Sequence, residues 1–293
     1  MSKPIVCLSF DWDGASVWMA SGATDARSLS RGEFGPRVGV PRLLNLLERL
    51  GIAATFFTPG HTADTYPKTA AEITMQGHEM AAHGYVHEDF EQLSLDEGRA
   101  VVRKAADAIE RATGRAPRGM RFSPWAVDGQ LFQVLIDEGY TYSSSVMDDV
   151  RPHWARAAGV VRFDGPNEQG PELPLVEVPI TFITSDFAYF EFNGYGRPTL
   201  PAGLRNPRDV EQIWLDEFAY NADRDPGAVT MLMLHPETIG WGGRIAMLER
   251  VLTHMQERDA RFVTAEQLAD EFRHRSASPS AAAASQPGPS GTS

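Results

Sequence analysis

The 293-residue sequence holds a single cysteine, Cys7, which excludes an internal disulfide framework. Its place in an apolar run marks it as a buried strand residue rather than a reactive thiol. No run approaches the roughly 20 apolar residues that cross a bilayer, so no membrane partner is expected. The first apolar stretch, Ile5 to Phe10, runs directly into Asp11 with no small-residue cleavage site behind it. A signal peptide is therefore not expected, and a cytoplasmic location is. Basic residues are in deficit: 27 Lys and Arg stand against 39 Asp and Glu, a net charge of −12. An acidic surface repels phosphate backbones, so nucleic acid is not an expected partner. Internal repeats are absent. So is a glycine-rich turn after the first strand, which argues against a nucleotide-binding doubly wound sheet and a nicotinamide-dependent oxidoreductase.

Hydrophobic residues at 42% and charged residues at 23% are enough for a sizeable core in one large domain. Short apolar runs alternate with longer amphipathic ones. Strands are expected at 5–10, 53–57, 79–82, 119–122, 140–144, 176–179, 229–234 and 261–263, and helices at 40–50, 66–76, 94–113, 131–138, 209–221, 244–256 and 264–272. Ser94 with Glu97, and Thr264 with Gln267, read as helix caps, and Gly114 as a helix stop. Strand and helix in alternation mean parallel strands with helical crossovers. Seven or eight such units suggest a closed or nearly closed barrel, with an open doubly wound sheet as the competitor. The segment 147–174 lacks periodicity and reads as a long loop or insertion. The Ser-, Ala-, Pro- and Gly-rich tail, 274–293, cannot bury enough surface to offset its ordering entropy and is expected to be disordered.

Three groups of metal-ligand residue types fall at strand ends. Asp11 and Asp13 lie two apart, and the strand period of two puts both on one face. Carboxylates so close repel unless a cation or proton lies between them. His83 and His87 follow the third strand; in a helical turn an i, i+4 pair shares one face and suits a metal. His235 ends the most apolar strand, where an imidazole can act as general acid, with Glu237 and Arg244 as candidates to orient it. His78 has strand-like spacing that turns it away from this set. Each signal alone has a plain structural alternative, but strand C-terminal ends converge on the mouth of a parallel barrel. Two histidines and one carboxylate leave positions open for water and substrate, the pattern of a catalytic rather than a structural zinc site.

The order Ser9-Phe10-Asp11-Trp12-Asp13-Gly14, His83 to His87, Arg121-Phe122-Ser123-Pro124-Trp125, and Leu232-Met233-Leu234-His235-Pro236 resembles the polysaccharide deacetylase (NodB homology, carbohydrate esterase family 4) superfamily. The resemblance covers roughly residues 4–272. It implies an α/β fold, a distorted (β/α) barrel of about seven parallel strands in residues 1–273, and metal-dependent hydrolysis of non-peptide C–N bonds. Ser30-Arg31-Gly32 and Gly39 to Leu44 look like the intracellular branch, which includes Helicobacter-type peptidoglycan deacetylases, cyclic imide hydrolases and allantoinase-like proteins.

By the same resemblance Asp11 is the catalytic base, Asp13, His83 and His87 are the metal ligands, and His235 is the general acid. One divalent metal is implied, zinc foremost, with Co2+, Mn2+ and Ni2+ compatible. Trp125 matches the aromatic that lines the substrate groove. Trp12, Arg121 and Phe187 complete the expected substrate contacts, Phe187 as part of the aromatic stretch 182–192. The sequence departs from the family in four places. Trp12 separates the two aspartates, and Gly84 replaces a Ser or Thr. An extra residue stands between Arg121 and Pro124, and the fourth motif has only Asp148, Asp149 and Trp154 as weak matches. These departures and the missing export signal make a small cyclic imide or ureide the expected substrate, and an N-acetyl sugar or peptidoglycan the alternative. A catalytically silent binding barrel is the reading from another class. A homo-oligomer, dimer or tetramer, is expected.

Overall fold

The computed structural model describes residues 3–123, 129–191 and 205–279. Nine strands appear among the described residues: β1 (Ile5–Asp11), β2 (Thr55–Thr58), β3 (Glu79–Ala82), β4 (Gly119–Met120), β5 (Tyr142–Ser143), β6 (His153–Arg156), β7 (Glu172–Glu177), β8 (Val229–Leu234) and β9 (Arg261–Val263). They form one curled sheet in the order β6-β7-β5-β4-β3-β2-β1-β8, with β9 also paired to β1. The result is the distorted, incomplete (β/α) barrel implied by the family resemblance. The strand count is higher than the expected seven, and one strand breaks the parallel rule. β6 runs antiparallel to β7 and lies inside the segment read as a loop. Its four residues, His153-Trp154-Ala155-Arg156, are too few to give a clear period of two.

β1 explains how the site is built. Its residues are apolar almost throughout because both faces are covered. Val6, Leu8, Phe10 and Trp12 pack in the larger core with the surrounding helices, whereas Cys7 packs with Phe57, Ala81 and Tyr142 in a second, inner cluster. Asp11 and Asp13 share the parity of Cys7 and Ser9, so β1 delivers them to the inner side. β8 pairs with β1 residue for residue from Ile5↔Val229 to Phe10↔Leu234, and this register sets His235 level with Asp11.

Helix ends follow the sequence signals. Leu95–Thr113 carries the Ser94–Glu97 capping box and ends on Gly114 in the left-handed region, φ 75°. Ala265–Arg275 carries the Thr264–Gln267 box and runs three residues past the expected stop. Of the tail expected to be disordered, 280–293 lies outside the described residues. The helix Val40–Leu50 continues from Ala26–Phe34 through a π turn, Gly35–Gly39. A Cβ on Gly39 would lie 2.2 Å from the Pro236 carbonyl oxygen, and one on Gly35 would lie 2.1 Å from Glu237 Oε1. The two glycines let the π turn seat against the loop that follows β8. No helix among the described residues is long and apolar enough to cross a membrane.

Candidate active site

Asp11, His83, Arg121 and His235 each stand at or just past the C-terminal end of a parallel strand, and the curl of the sheet brings them together. Asp13, His83 and His87 each offer a ligand atom, and these atoms all lie within 4.8 Å of one another. His83 Nε2 is 3.6 Å from Asp13 Oδ1, and His87 Nε2 is 3.9 Å from Asp13 Oδ2. The histidine pair does not sit on a helical turn. Gly84 (φ 72°) and His87 (φ 63°) take left-handed backbone in an irregular loop, which sets the two rings 5.0 Å apart and nearly perpendicular. Glycine at 84, the departure from the family pattern, is what the first of these positions favours.

The electrostatics of the trio suit a cation. His83 Nδ1 lies 2.7 Å from the Arg121 carbonyl oxygen, which only accepts, so Nδ1 carries the proton and Nε2 presents its lone pair to Asp13. Burial disfavours the charged form of both rings, lowering His83 and, with the neighbouring His83 adding to it, taking His87 down to about 3. Both are therefore neutral donors at ordinary pH. Asp13 is buried, and its Oδ1 has no hydrogen-bond partner. Burial pushes its carboxyl up to about 8, with His235 pulling against the rise and Asp11 adding to it. A buried carboxyl with an unpartnered oxygen facing two neutral imidazoles takes either a proton or a metal ion, and the donor set fits a divalent ion.

Asp11 is held differently. Arg121 is fully buried, and its Nη1 donates to Asp11 Oδ1. Its Nη2 donates to Ser9 Oγ at 3.2 Å and to Ser144 Oγ at 3.0 Å, and its Nε donates to the Ser144 carbonyl at 3.0 Å. Burial alone would raise Asp11, but Arg121, His83 and His235 together hold it below the usual carboxylate range. Its other oxygen, Oδ2, lies 3.9 Å from both His83 Nε2 and His235 Nε2. His235 in turn is oriented by Asp186, whose Oδ1 is 2.8 Å from His235 Nδ1 and whose Oδ2 accepts from the His235 backbone N–H at 2.9 Å. Burial disfavours the imidazolium, but Asp186, followed by Asp11 and Asp13, raises His235 to about 10. Phe187 is partly exposed, with its ring 5.1 Å from the His235 ring.

Several expected roles change. Arg121 is directed at Asp11 and not at open space, so it is not a substrate contact. The extra residue before Pro124 leaves Arg121 in contact with Asp11. Trp12 is fully buried in the helix-facing core, because the residue between two inward-facing aspartates must face outward. It cannot touch a substrate. Trp125 lies outside the described residues. Glu237 and Arg244 do not orient His235: Glu237 accepts from the Gly14 N–H at 2.8 Å, and Arg244 donates to the carbonyls of Thr238 and Phe190. Neither Asp148 nor Asp149 takes the place of the fourth-motif acid. Asp148 pairs with His153, and Asp149 accepts from the backbone of Val150 and Arg151. Asp186 carries no motif that marks it, although it is the one charged residue between Ile180 and Phe190. A short parallel bridge, Ser185↔Met233, draws that run alongside β8. His78 is structural, its Nδ1 accepting from the Ala54 N–H at 3.2 Å.

Residues 33–143 match the family model described as polysaccharide deacetylase. A peptidoglycan deacetylase of Helicobacter pylori is 29% identical over 290 residues, covering 94% of this chain and 98% of the relative. The peptidoglycan deacetylase-like protein FGM2 of Gibberella zeae is 31% identical over 291 residues, covering 91% of this chain and 86% of the relative. Among solved structures, a putative polysaccharide deacetylase from Mycobacterium smegmatis superposes with a TM-score of 0.80 at 28% identity, over 93% of this chain and 91% of that one. Puue allantoinase superposes with a TM-score of 0.72 over 92% and 89% of the two chains, and at 20% identity that likeness concerns the fold alone.

Proposed function

The chain belongs to the polysaccharide deacetylase family, and from that membership and the geometry of the site we propose that it is a metal-dependent N-deacetylase of N-acetylated amino sugars. One observation carries the proposal. An Asp-His-His trio that fits a divalent ion stands beside two proton carriers held in opposite states, Asp11 by Arg121 and His235 by Asp186. The small-ring imide or ureide substrate expected from the sequence is set aside. The two relatives that align over nearly the whole chain are named for peptidoglycan, and the allantoinase likeness extends only to the fold.

Asp13, His83 and His87 would hold the ion, and zinc suits two imidazoles and one carboxylate. When bound, a divalent ion supplies Lewis acidity to an acetamide carbonyl and to water. The remaining work falls to the chain. Asp11, ionised at neutral pH, accepts the proton of the attacking water while Arg121 holds the carboxylate in place. His235, protonated at neutral pH, gives its Nε2 proton to the departing nitrogen, while Asp186 holds the ring through Nδ1. A base kept ionised and an acid kept protonated by separate partners is the division that hydrolysis of a C–N bond requires.

The test combines metal analysis with product analysis. Zinc-loaded protein is given N-acetylglucosamine oligomers, succinimide and allantoin. Acetate release from the oligomers is expected, with both metal and activity lost in Asp13→Ala and His87→Ala. Ring opening of succinimide or allantoin without acetate release overturns the deacetylase reading. Full metal content and turnover in either variant overturns the ligand assignment.

A further inference from the structure

Beside the His235-Pro236-Glu237 turn lies a cavity of about 370 Å³, walled in part by Trp18, Arg31, Phe34, Phe190, Trp241 and Arg244. Phe34 and Trp241 stack with ring centroids 4.1 Å apart and planes 5° from parallel, giving a flat apolar wall. The cavity adjoins the reacting groups through Glu237, which lines it, follows His235 by two residues, and bonds the amide of Gly14 next to Asp13.

The charges of this cavity do not balance. Arg31 pairs with Glu191, whose second oxygen accepts from Thr238 Oγ1 at 2.9 Å. Arg244 has no carboxylate partner among the described residues. Its Nη1 donates to the Thr238 carbonyl at 2.8 Å and its Nη2 to the Phe190 carbonyl at 3.4 Å, with the guanidinium 4.6 Å over the Phe190 ring. Carbonyls and a ring face satisfy part of the hydrogen-bonding capacity but supply no counter-charge, and three of the five N–H groups are left over. Glu191 and Asp186 act on it from beyond ion-pair distance, but each is already paired, with Arg31 and with His235, and a half-buried guanidinium without a contact anion is costly. Glu237 does not provide one. It is only 7% exposed, Oε1 is taken by Gly14, and Oε2 has no partner.

We propose that this cavity binds a carboxylate carried by the substrate, with Arg244 as its ion partner and the Phe34–Trp241 pair against its apolar part. The substrate class is then an N-acetylated amino sugar that bears an acidic side group, rather than a neutral one. This inference rests on the deacetylase reading for its substrate, and its test separates the two.

N-acetylmuramic acid and N-acetylglucosamine differ only by a lactyl ether that ends in a carboxylate. Their binding to the zinc-loaded protein is measured by calorimetry, and acetate release is followed in parallel. A charge-assisted hydrogen bond predicts about ten- to hundredfold tighter binding of N-acetylmuramic acid. In Arg244→Gln that ratio falls towards one. In Arg244→Lys, which keeps the charge and loses the planar fork, part of it returns. Equal binding of both sugars, binding of neither, or a ratio unchanged in Arg244→Gln overturns the proposal. If the preference is present and lost with Arg244 but neither sugar releases acetate, the cavity assignment stands and the deacetylase reading fails. If both sugars release acetate and neither is preferred, the deacetylase reading stands and the cavity assignment fails.

Discussion

Replacing Asp186 by Asn removes one charge and leaves the shape, which makes it the sharpest test of the proton-donor arrangement. Both carboxylate oxygens of Asp186 accept from His235, one from the ring Nδ1 and one from the backbone N–H. An amide has one acceptor oxygen and cannot serve both. Whichever group faces the NH2, the imidazolium loses its counter-charge. His235 rises from its ordinary 6.5 to about 10, and Asp186 leads the influences that raise it, ahead of Asp11 and Asp13. The full rise corresponds to about 5 kcal/mol between the two protonation states. Because two other carboxyls share in it, the part due to Asp186 is about 2–4 kcal/mol. If the imidazolium is the donor in the rate-limiting step, the fall in kcat is small near neutral pH and grows towards about 30- to 1000-fold as pH climbs past about 10, where the wild-type ring still holds part of its proton. Metal content stays at the wild-type level, because Asp186 is outside the ligand trio. The assay is acetate release against pH on metal-analysed protein. The alkaline limb of the profile moves to lower pH in the variant, and KM changes little. A kcat within threefold of wild type with an unmoved alkaline limb would refute the assignment of Asp186 to the proton donor.

Three further outcomes follow from the geometry. Arg121→Met strands the buried Asp11 carboxylate and is expected to cost about 3–5 kcal/mol in urea unfolding, with Asp11→Asn added to it recovering much of the loss; an equal cost in the single and double variants would show that the ion pair is not the cause. Gly39→Ala places a methyl 2.2 Å from the Pro236 carbonyl oxygen, so the π turn and the His235 loop must part. A loss of about 1–3 kcal/mol is expected in thermal unfolding, and an unchanged melting temperature would show that the contact yields freely. His153 is opposed by burial but raised to about 9 by Asp148, which lies 3.4 Å away, and by the Arg151 carbonyl. A pKa raised in the folded state contributes stability that is complete below the unfolded value of about 6.5 and is lost as pH climbs through about 9. Asp148 is 61% exposed, so screening holds this contribution to about 1 kcal/mol. The drop in urea-unfolding free energy from pH 6 to pH 9.5 should be smaller by that amount in His153→Gln than in the wild type, His235 and Asp13 supplying the part that remains; an identical drop in both proteins would refute the assignment.

What can be read from the sequence depends on how local its cause is. Glu79–Ala82, Val229–Leu234 and Arg261–Val263 carry their own period and bounds, and the Ser94 and Thr264 caps are complete within four residues. Asp11, Asp13, His83, His87 and His235 are legible because a strand end is a local feature and the barrel supplies the convergence. Asp186 is not, because its role depends on the Ser185↔Met233 bridge, a pairing across 48 residues that no local pattern announces. β6 is hidden for a similar reason: it is a short edge strand held by pairing with β7. The helical placement of His83 and His87 fails because an i, i+4 spacing fits a helix or a loop with two left-handed residues equally well, and only Gly84 hints at the second.

The Trp12 spacer shows how one residue decides the architecture of the site. Adjacent aspartates on a strand would face opposite sides, so one of them must leave the strand to meet the other. Here the strand does the alignment itself. β1 runs to Asp11 and Asp13 follows, both keep the inward parity of Cys7 and Ser9, and Trp12 anchors between them on the outer side at zero exposure. The anchoring has a further consequence. Asp13 is fixed by its peptide as well as by its side chain: its carbonyl accepts from Thr62 Oγ1 at 2.6 Å, and the next amide, that of Gly14, donates to Glu237. Glu237 reaches Gly14 from the loop that carries His235. The segment that carries Asp13 and the turn that carries His235 are thus tied through one carboxyl group, that of Glu237.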